Sequence, residues 1–204
     1  DQPRHNRETL WKIWGVPKAL VAGNVLRVVA DQALHEMVDA GLKHDRALSA
    51  MGLLTEAYLE MIEGQYLDLS FEGMINVGVD DYFHMISRKT GALIRCSMAI
   101  GAMVGTNDFE VTDAFRECGR ALGYVFQIRD DILGIWGEEK ITGKPVGADI
   151  RRKKNSYPVV YAKEMAPQQD VQMLTGIYEK DRLSHDDVMT VLEVMDRADV
   201  MVLS

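Results

Sequence analysis

Cysteine is scarce. Only Cys96 and Cys118 occur, and their spacing matches no metal-binding pattern. A disulfide framework is therefore excluded, and the two residues read as reduced core thiols of a cytoplasmic protein. Strand signals are missing too, because no stretch sustains an alternation of apolar and polar residues, which points away from a β architecture. Positive charge is in deficit, with 23 Lys and Arg against 31 Asp and Glu and a net charge of −8. No basic stripe rises above that background, so nucleic acid is an unsuitable partner. Neither a signal-peptide pattern nor an apolar run long enough to cross a bilayer is found. Internal repeats and low-complexity segments are also absent.

What is present is a chain of 204 residues, 47% of them hydrophobic. That suffices for a substantial core and reads most simply as one domain over residues 1–204. Residues 1–15 read as a polar loop with Trp11 and Trp14. From about Pro17, apolar residues recur at helical spacing through Leu20, Val25, Leu26, Val29, Leu34, Met37 and Val38, and Gly41 is a suitable stop. A second helix runs from about Asp45 to Gly64-Gln65. Asp80-Asp81 opens the next, where carboxylates cap free N–H groups. It passes Lys89 and continues to about Val104, with small residues from Gly91 to Ala102 that permit close helix approach. Asp108 or Thr112 starts a helix reaching Ile135. A turn-rich loop over 137–148 is followed by a short buried helix from Tyr157-Pro158 that ends before Pro167. Helices over 168–178 and 184–203 complete the chain, the last opened by a capping box of Ser184 and Asp187. The class is all-α.

The central feature is the run from Gly123 to Gly137, apolar except for Gln127, Arg129, Asp130 and Asp131. On a helix Gln127 lies three and four residues before the two acids, so all three can crowd one end of a cavity. Adjacent carboxylates repel each other and resist desolvation, which calls for a cation between them. The plainer alternative is a solvated acidic corner. The basic stretch downstream, Gly143-Lys144 to Lys153-Lys154, favours the functional reading.

Phe126-Gln127-x-x-Asp130-Asp131, then Gly143-Lys144-x-x-Gly147-x-Asp149 with Lys154, resembles the second aspartate-rich region of the trans-isoprenyl diphosphate synthases. Arg4-His5-Asn6-Arg7-Glu8-Thr9 is similar to the arginine-rich segment after that family's first aspartate-rich motif. Gly64-Gln65-x-x-Asp68 resembles its mid-chain Gly-Gln pair, and Lys89-Thr90 its Lys-Thr pair. The resemblance runs in order from residue 1 to about Glu164. It places the first aspartate-rich motif upstream of Asp1, so a fragment of the family's domain is expected, cut at both ends.

The resemblance implies a helical bundle around a central apolar cavity. It also implies a prenyltransferase joining an allylic diphosphate to isopentenyl diphosphate, with Mg2+ as cofactor and a homodimeric assembly. Asp130 and Asp131 would hold the metal. Lys89, Gln127 and Lys144 would act on the departing diphosphate, while Arg4, Arg7, Thr90, Gln65 and Lys154 would bind substrate. Substituting Asp130 or Asp131 by alanine is then expected to lower turnover without unfolding the protein. The chain departs from the family pattern in four places. His5 replaces the second arginine, Glu8 a proline, Gly134 the third aspartate, and Asn24 an aspartate often found after glycine. These departures keep open a terpene cyclase or irregular prenyltransferase, and a non-catalytic subunit of a heteromeric synthase.

Overall fold

The computed structural model describes residues 7–137 and 145–200. Every regular element among the described residues is helical. In chain order they are α1 (Leu10–Trp14), α2 (Val16–Asp39), α3 (His44–Phe71), α4 (Val79–Ile86), a π-helical turn (Ser87–Gly91), α5 (Ala92–Gly105), α6 (Phe109–Trp136), α7 (Ala148–Arg151), α8 (Tyr157–Met165), α9 (Gln168–Glu179) and α10 (His185–Arg197). The all-α expectation holds.

Local chemistry explains most of the boundaries. Pro17 lies in the first turn of α2, where a missing N–H costs nothing, and Gly41 adopts φ +100° just beyond its end. Asp108 caps α6, accepting from the N–H groups of Glu110 at 2.9 Å and Val111 at 3.4 Å. Asp81 accepts from the N–H of Gly78 at 3.1 Å, so one member of the second acidic pair serves the helix start. Ser184 and Asp187 form the reciprocal cap of α10, with Ser184 N–H to Asp187 Oδ2 at 2.8 Å and Asp187 N–H to Ser184 Oγ at 3.1 Å.

Asp187 also accepts from Lys180, and these hydrogen bonds hold its carboxyl down at about 2. A depressed carboxyl stabilises the fold above the ordinary aspartate range and loses that contribution as pH falls toward 2. Asp187→Asn is therefore expected to lower the urea midpoint at pH 7, and the gap to the parent protein should close between about pH 4 and pH 2. A gap that stays constant over that range would contradict the linkage.

The packing has two centres. Helices α3, α5 and α6 form one slab, with Ala57, Ala92 and Cys96 buried beside Leu53, Leu54, Leu93 and Ile100. Glycine makes the approach possible. A Cβ on Gly123 would come 2.6 Å from the Cα of Gly91, and one on Gly119 would come 2.7 Å from the Cα of Arg95. The second centre joins the end of α6 to α7–α10 through Ile135, Ile150, Val159, Leu174, Val188, Val191 and Met195. Each such side chain contributes roughly 1.5–3 kcal/mol when fully buried. Tyr82, Met85, Ile86 and Val160 bridge the two centres, so α4 and α8 hold the slab against the smaller bundle.

Several expectations need correction. The stretch read as a polar loop over 1–15 contains α1, ended by Gly15 at φ +83°. Helix α3 runs two turns beyond Gln65, and α7 occupies the end of the 137–148 loop and continues to Arg151. The helix opened by Ser184 stops at Arg197, with Asp199 at φ +49° beyond it, and residues 201–203 of the expected helix lie outside the described residues. Both cysteines are free, but only Cys96 is buried; Cys118 is on the exposed side of α6. No helix among the described residues is long and apolar enough to cross a membrane.

Candidate active site

Three elements converge at one end of the slab: the last turns of α3, the π turn, and the last third of α6. The π turn carries Lys89 and Thr90. Its wider winding follows from insertion of a residue into a helix, a feature with no simple sequence signature. Gly64 lets α3 lie directly against it, since a Cβ there would come 2.6 Å from the Cα of Lys89. Lys89 pairs with Asp68 on α3, and both side chains are mostly buried. It is thus held by a carboxylate and not left to snorkel at the surface. Gln65 is exposed three residues before Asp68, on the same side of α3.

Across from it, Thr90 Oγ1 donates to Gln127 Oε1 at 2.6 Å, and Gln127 Nε2 donates to Asp131 Oδ1 at 3.1 Å. Asp131 is fully buried. Besides Gln127, it accepts from the Tyr82 hydroxyl at 2.7 Å, Lys154 Nζ at 2.7 Å and the Tyr157 N–H at 3.0 Å. Lys154 also lies 3.5 Å from Asp149, itself buried. Burial alone would lower the Lys154 ammonium, but Asp131 and Asp149 outweigh it and hold it well above the usual lysine value. Burial likewise raises the Tyr82 hydroxyl, with Asp131 beside it adding to the effect, so Tyr82 stays a donor.

Asp130 and Asp131, expected as a pair of metal ligands, lie about 100° apart around α6 and differ in environment. Asp131 faces inward and has both oxygens engaged by protein donors. Asp130 faces outward and is exposed. Lys154, expected at the substrate, pairs with Asp131 and Asp149, and its side chain is only 13% exposed. Arg7 is exposed, and Glu8 is neutralised locally by Lys12 at 2.7 Å. Arg4, His5 and Lys144 lie outside the described residues. Sequence reasoning gave no role to Tyr82, Tyr157 or Asp149. Asp149 alone carried a signal, as part of the Gly147-x-Asp149 pattern.

Gly134 has a steric explanation. A Cβ at this position would overlap Asp149 Oδ2 and approach its Cγ to 2.8 Å. The buried carboxylate of Asp149 fills the space a side chain at 134 would need, so any larger residue there requires Asp149 to move. Gly134→Ala is expected to cost about 1–3 kcal/mol through overpacking, read as a lowered melting temperature. Unchanged melting would show that the contact is not tight.

The outward face of α6 completes the site. Phe115, Leu122 and Phe126 recur at helical spacing along it, all exposed, and Asp130 stands one turn beyond Phe126 on the same stripe. At the far end an apolar groove of about 450 Å³ lies between α5 and α6, lined by Met98, Gly101, Ala102, Gly105, Thr106, Val111 and Phe115. Phe115 is roughly 18 Å along the helix from Gln127 at 1.5 Å per residue. A hydrocarbon path thus leads to a carboxylate, though the expected central cavity is here an open groove.

The family model described as polyprenyl synthetase matches residues 1–195. The chain belongs to the polyprenyl synthetase family. Over 195 residues it is 35% identical to a geranylfarnesyl diphosphate synthase of Aeropyrum pernix, covering 96% of this chain and 60% of that protein. It is 40% identical over 162 residues to a geranylgeranyl diphosphate synthase of Mycobacterium tuberculosis, covering 79% of this chain and 45% of that protein. The crystal structure of a geranylgeranyl pyrophosphate synthetase from Pyrococcus horikoshii superposes with a TM-score of 0.86 at 34% identity, over 100% of this chain and 61% of that one. This polyprenyl synthetase chain therefore spans about 60% of the length of the Aeropyrum and Pyrococcus proteins.

Among the described residues no group of three or more acidic, histidine or cysteine side chains converges on one point. A magnesium ion does not need one. It commonly keeps several waters and takes one or two carboxylates together with phosphate oxygens. The exposed carboxylate of Asp130 suits that mode in this polyprenyl synthetase, whereas Asp131 is already saturated.

Proposed function

We propose that the protein ionises an allylic diphosphate and transfers the prenyl group to isopentenyl diphosphate. The observation that carries this reading is the stripe of exposed apolar side chains on α6 leading to Asp130, at the helix end where Gln127 meets Thr90, the neighbour of Lys89 in the π turn. A ligand with a long hydrocarbon tail and a polyanionic head fits such a path and few others do.

In this reading the tail lies along Phe126, Leu122 and Phe115 and excludes water from the reacting carbon. Lys89 supplies a fixed positive charge for the diphosphate, released in part from Asp68 as the anion arrives. Thr90 and Gln127 hold each other and, through Asp131, fix the α6 end of the site. Asp130 would hold Mg2+, which when bound supplies neutralisation of the leaving diphosphate. Loss of diphosphate leaves an allylic cation, so groups that stabilise the leaving group lower the barrier directly. The paired elongation partner, a homodimer through the exposed apolar face of α2 (Leu20, Val21, Leu26), and a cytoplasmic setting for the two free thiols belong to the same proposal.

The test is incubation of the protein with Mg2+ and a labelled allylic diphosphate, with and without isopentenyl diphosphate. Chain-elongated product only in the presence of both supports the proposal. A hydrocarbon or alcohol formed from the allylic substrate alone points to cyclisation or simple ionisation. No consumption of either substrate overturns it.

A further inference from the structure

Lys163 on α8 is a cation spent on neutral groups. Its Nζ donates to Asn155 Oδ1 at 2.9 Å and to the Ile75 carbonyl at 3.3 Å, and it lies 4.9 Å from the centroid of the Tyr178 ring. An ammonium has three protons, and each here has an uncharged acceptor. No carboxylate among the described residues is within ion-pair distance of it. Burial accordingly pushes its ammonium down to about 8. For packing alone an apolar side chain would serve better at this position, since desolvating a charge is costly.

The geometry shows what the lysine holds. Asn155 is buried, and its Nδ2 donates to the carbonyls of Phe71 at 2.6 Å and Met74 at 2.9 Å. A primary amide is suited to this, with one oxygen to accept from Lys163 and two protons to give. The Gly73 N–H returns a bond to the Lys153 carbonyl at 3.1 Å. These contacts lock the end of α3 and the following turn onto the segment 153–157. On one side of the joint, Asp68 sits one turn before Phe71 and holds Lys89. On the other, Lys154 precedes Asn155 and the Tyr157 N–H donates to Asp131.

We propose that Lys163, acting through Asn155, is a positioning residue that keeps the Lys89–Asp68 pair and the Lys154–Asp131 pair in register for one diphosphate. The inference rests on the prenyl-transfer reading given above. Neither residue touches the diphosphate; they set the distance between Lys89 on one side and, on the other, the Lys154–Asp131 anchor that fixes the α6 end of the site.

The experiment compares the parent protein with Lys163→Met, Lys163→Arg and Asn155→Asp. The last keeps an acceptor for Lys163 but loses the protons given to Phe71 and Met74. Three quantities are read: affinity for inorganic pyrophosphate in Mg2+ by calorimetry, residue-level hydrogen exchange of the Tyr157 amide, and melting temperature. Lys163→Met and Asn155→Asp are expected to weaken pyrophosphate binding roughly tenfold, the size of effect found when a group orienting a binding side chain is lost. Tyr157 should exchange faster in both while amides inside α9 do not change, and Lys163→Met should not lower the melting temperature. Lys163→Arg should restore binding to within about twofold of the parent, since the guanidinium offers donors to the same acceptors. Unchanged Tyr157 exchange in Lys163→Met overturns the proposal, and so does a loss of binding that merely follows a fall in melting temperature. If the parent protein itself fails to bind pyrophosphate, the prenyl-transfer reading falls; the exchange of Tyr157 then decides on its own whether the joint exists.

Discussion

Lys154→Met is expected to destabilise the protein by about 3 kcal/mol, near the low end of the cost of stripping one partner from a buried ion pair. The side chain of Asp131 is only 1% exposed, and without Lys154 its remaining donors among the described residues are uncharged: Tyr82, Gln127 and the Tyr157 N–H. Those three hold the cost below the upper end of the range. Asp149 would lose its cation as well. Urea unfolding at neutral pH measures the loss, and a change under about 0.5 kcal/mol would mean the pair is hydrated in solution. The double variant Lys154→Met with Asp131→Asn should recover part of the stability, because the stranded charge is then gone. This is the strongest expected effect on folding anywhere in the site.

Asp130→Ala is expected to do the opposite: leave the melting temperature unchanged and lower Mg2+-dependent turnover of allylic diphosphate by about 10²–10³-fold. The carboxylate is exposed and has no hydrogen bond or ion pair among the described residues, so its removal costs the fold little. Asp131→Ala should instead unfold the protein more readily, which reverses the expectation drawn from the sequence that both acids are dispensable to folding. Measured side by side, the two neighbours separate a ligand-facing carboxylate from an anchoring one. Equal losses of turnover with equal stability in both variants would contradict the assignment.

The contrast shows what a linear reading can reach. Helix existence was legible because apolar spacing and capping residues are local, and Asp108, Ser184 and Gly41 marked their boundaries correctly. The crowding of Thr90, Lys89, Gln127 and Asp131 was legible through family spacing. Which of two adjacent aspartates turns inward was not, since that depends on the rotation of α6 against α4 and α8. The tyrosines that satisfy Asp131 come from helices far apart in the chain, and nothing local marks them. Gly134 looked like a lost acid; only the position of Asp149 gives it a steric meaning. Lys163 offered no signal at all, because its neighbours Val159, Val160 and Ala162 describe a buried helix in which a lysine is unremarked until its acceptors are known.

The winding at Ser87–Gly91 has a consequence for any altered version of the chain. With one residue fewer, α4 and α5 would join as an ordinary helix, and everything beyond the joint would swing by about 100° relative to what precedes it. Lys89 could then meet Asp68, or Thr90 could meet Gln127, but not both together. A shortened protein could thus retain each named side chain and still lose the site, because the angular phase between α4 and α5, stored in a single surplus residue, is itself one of its working parts.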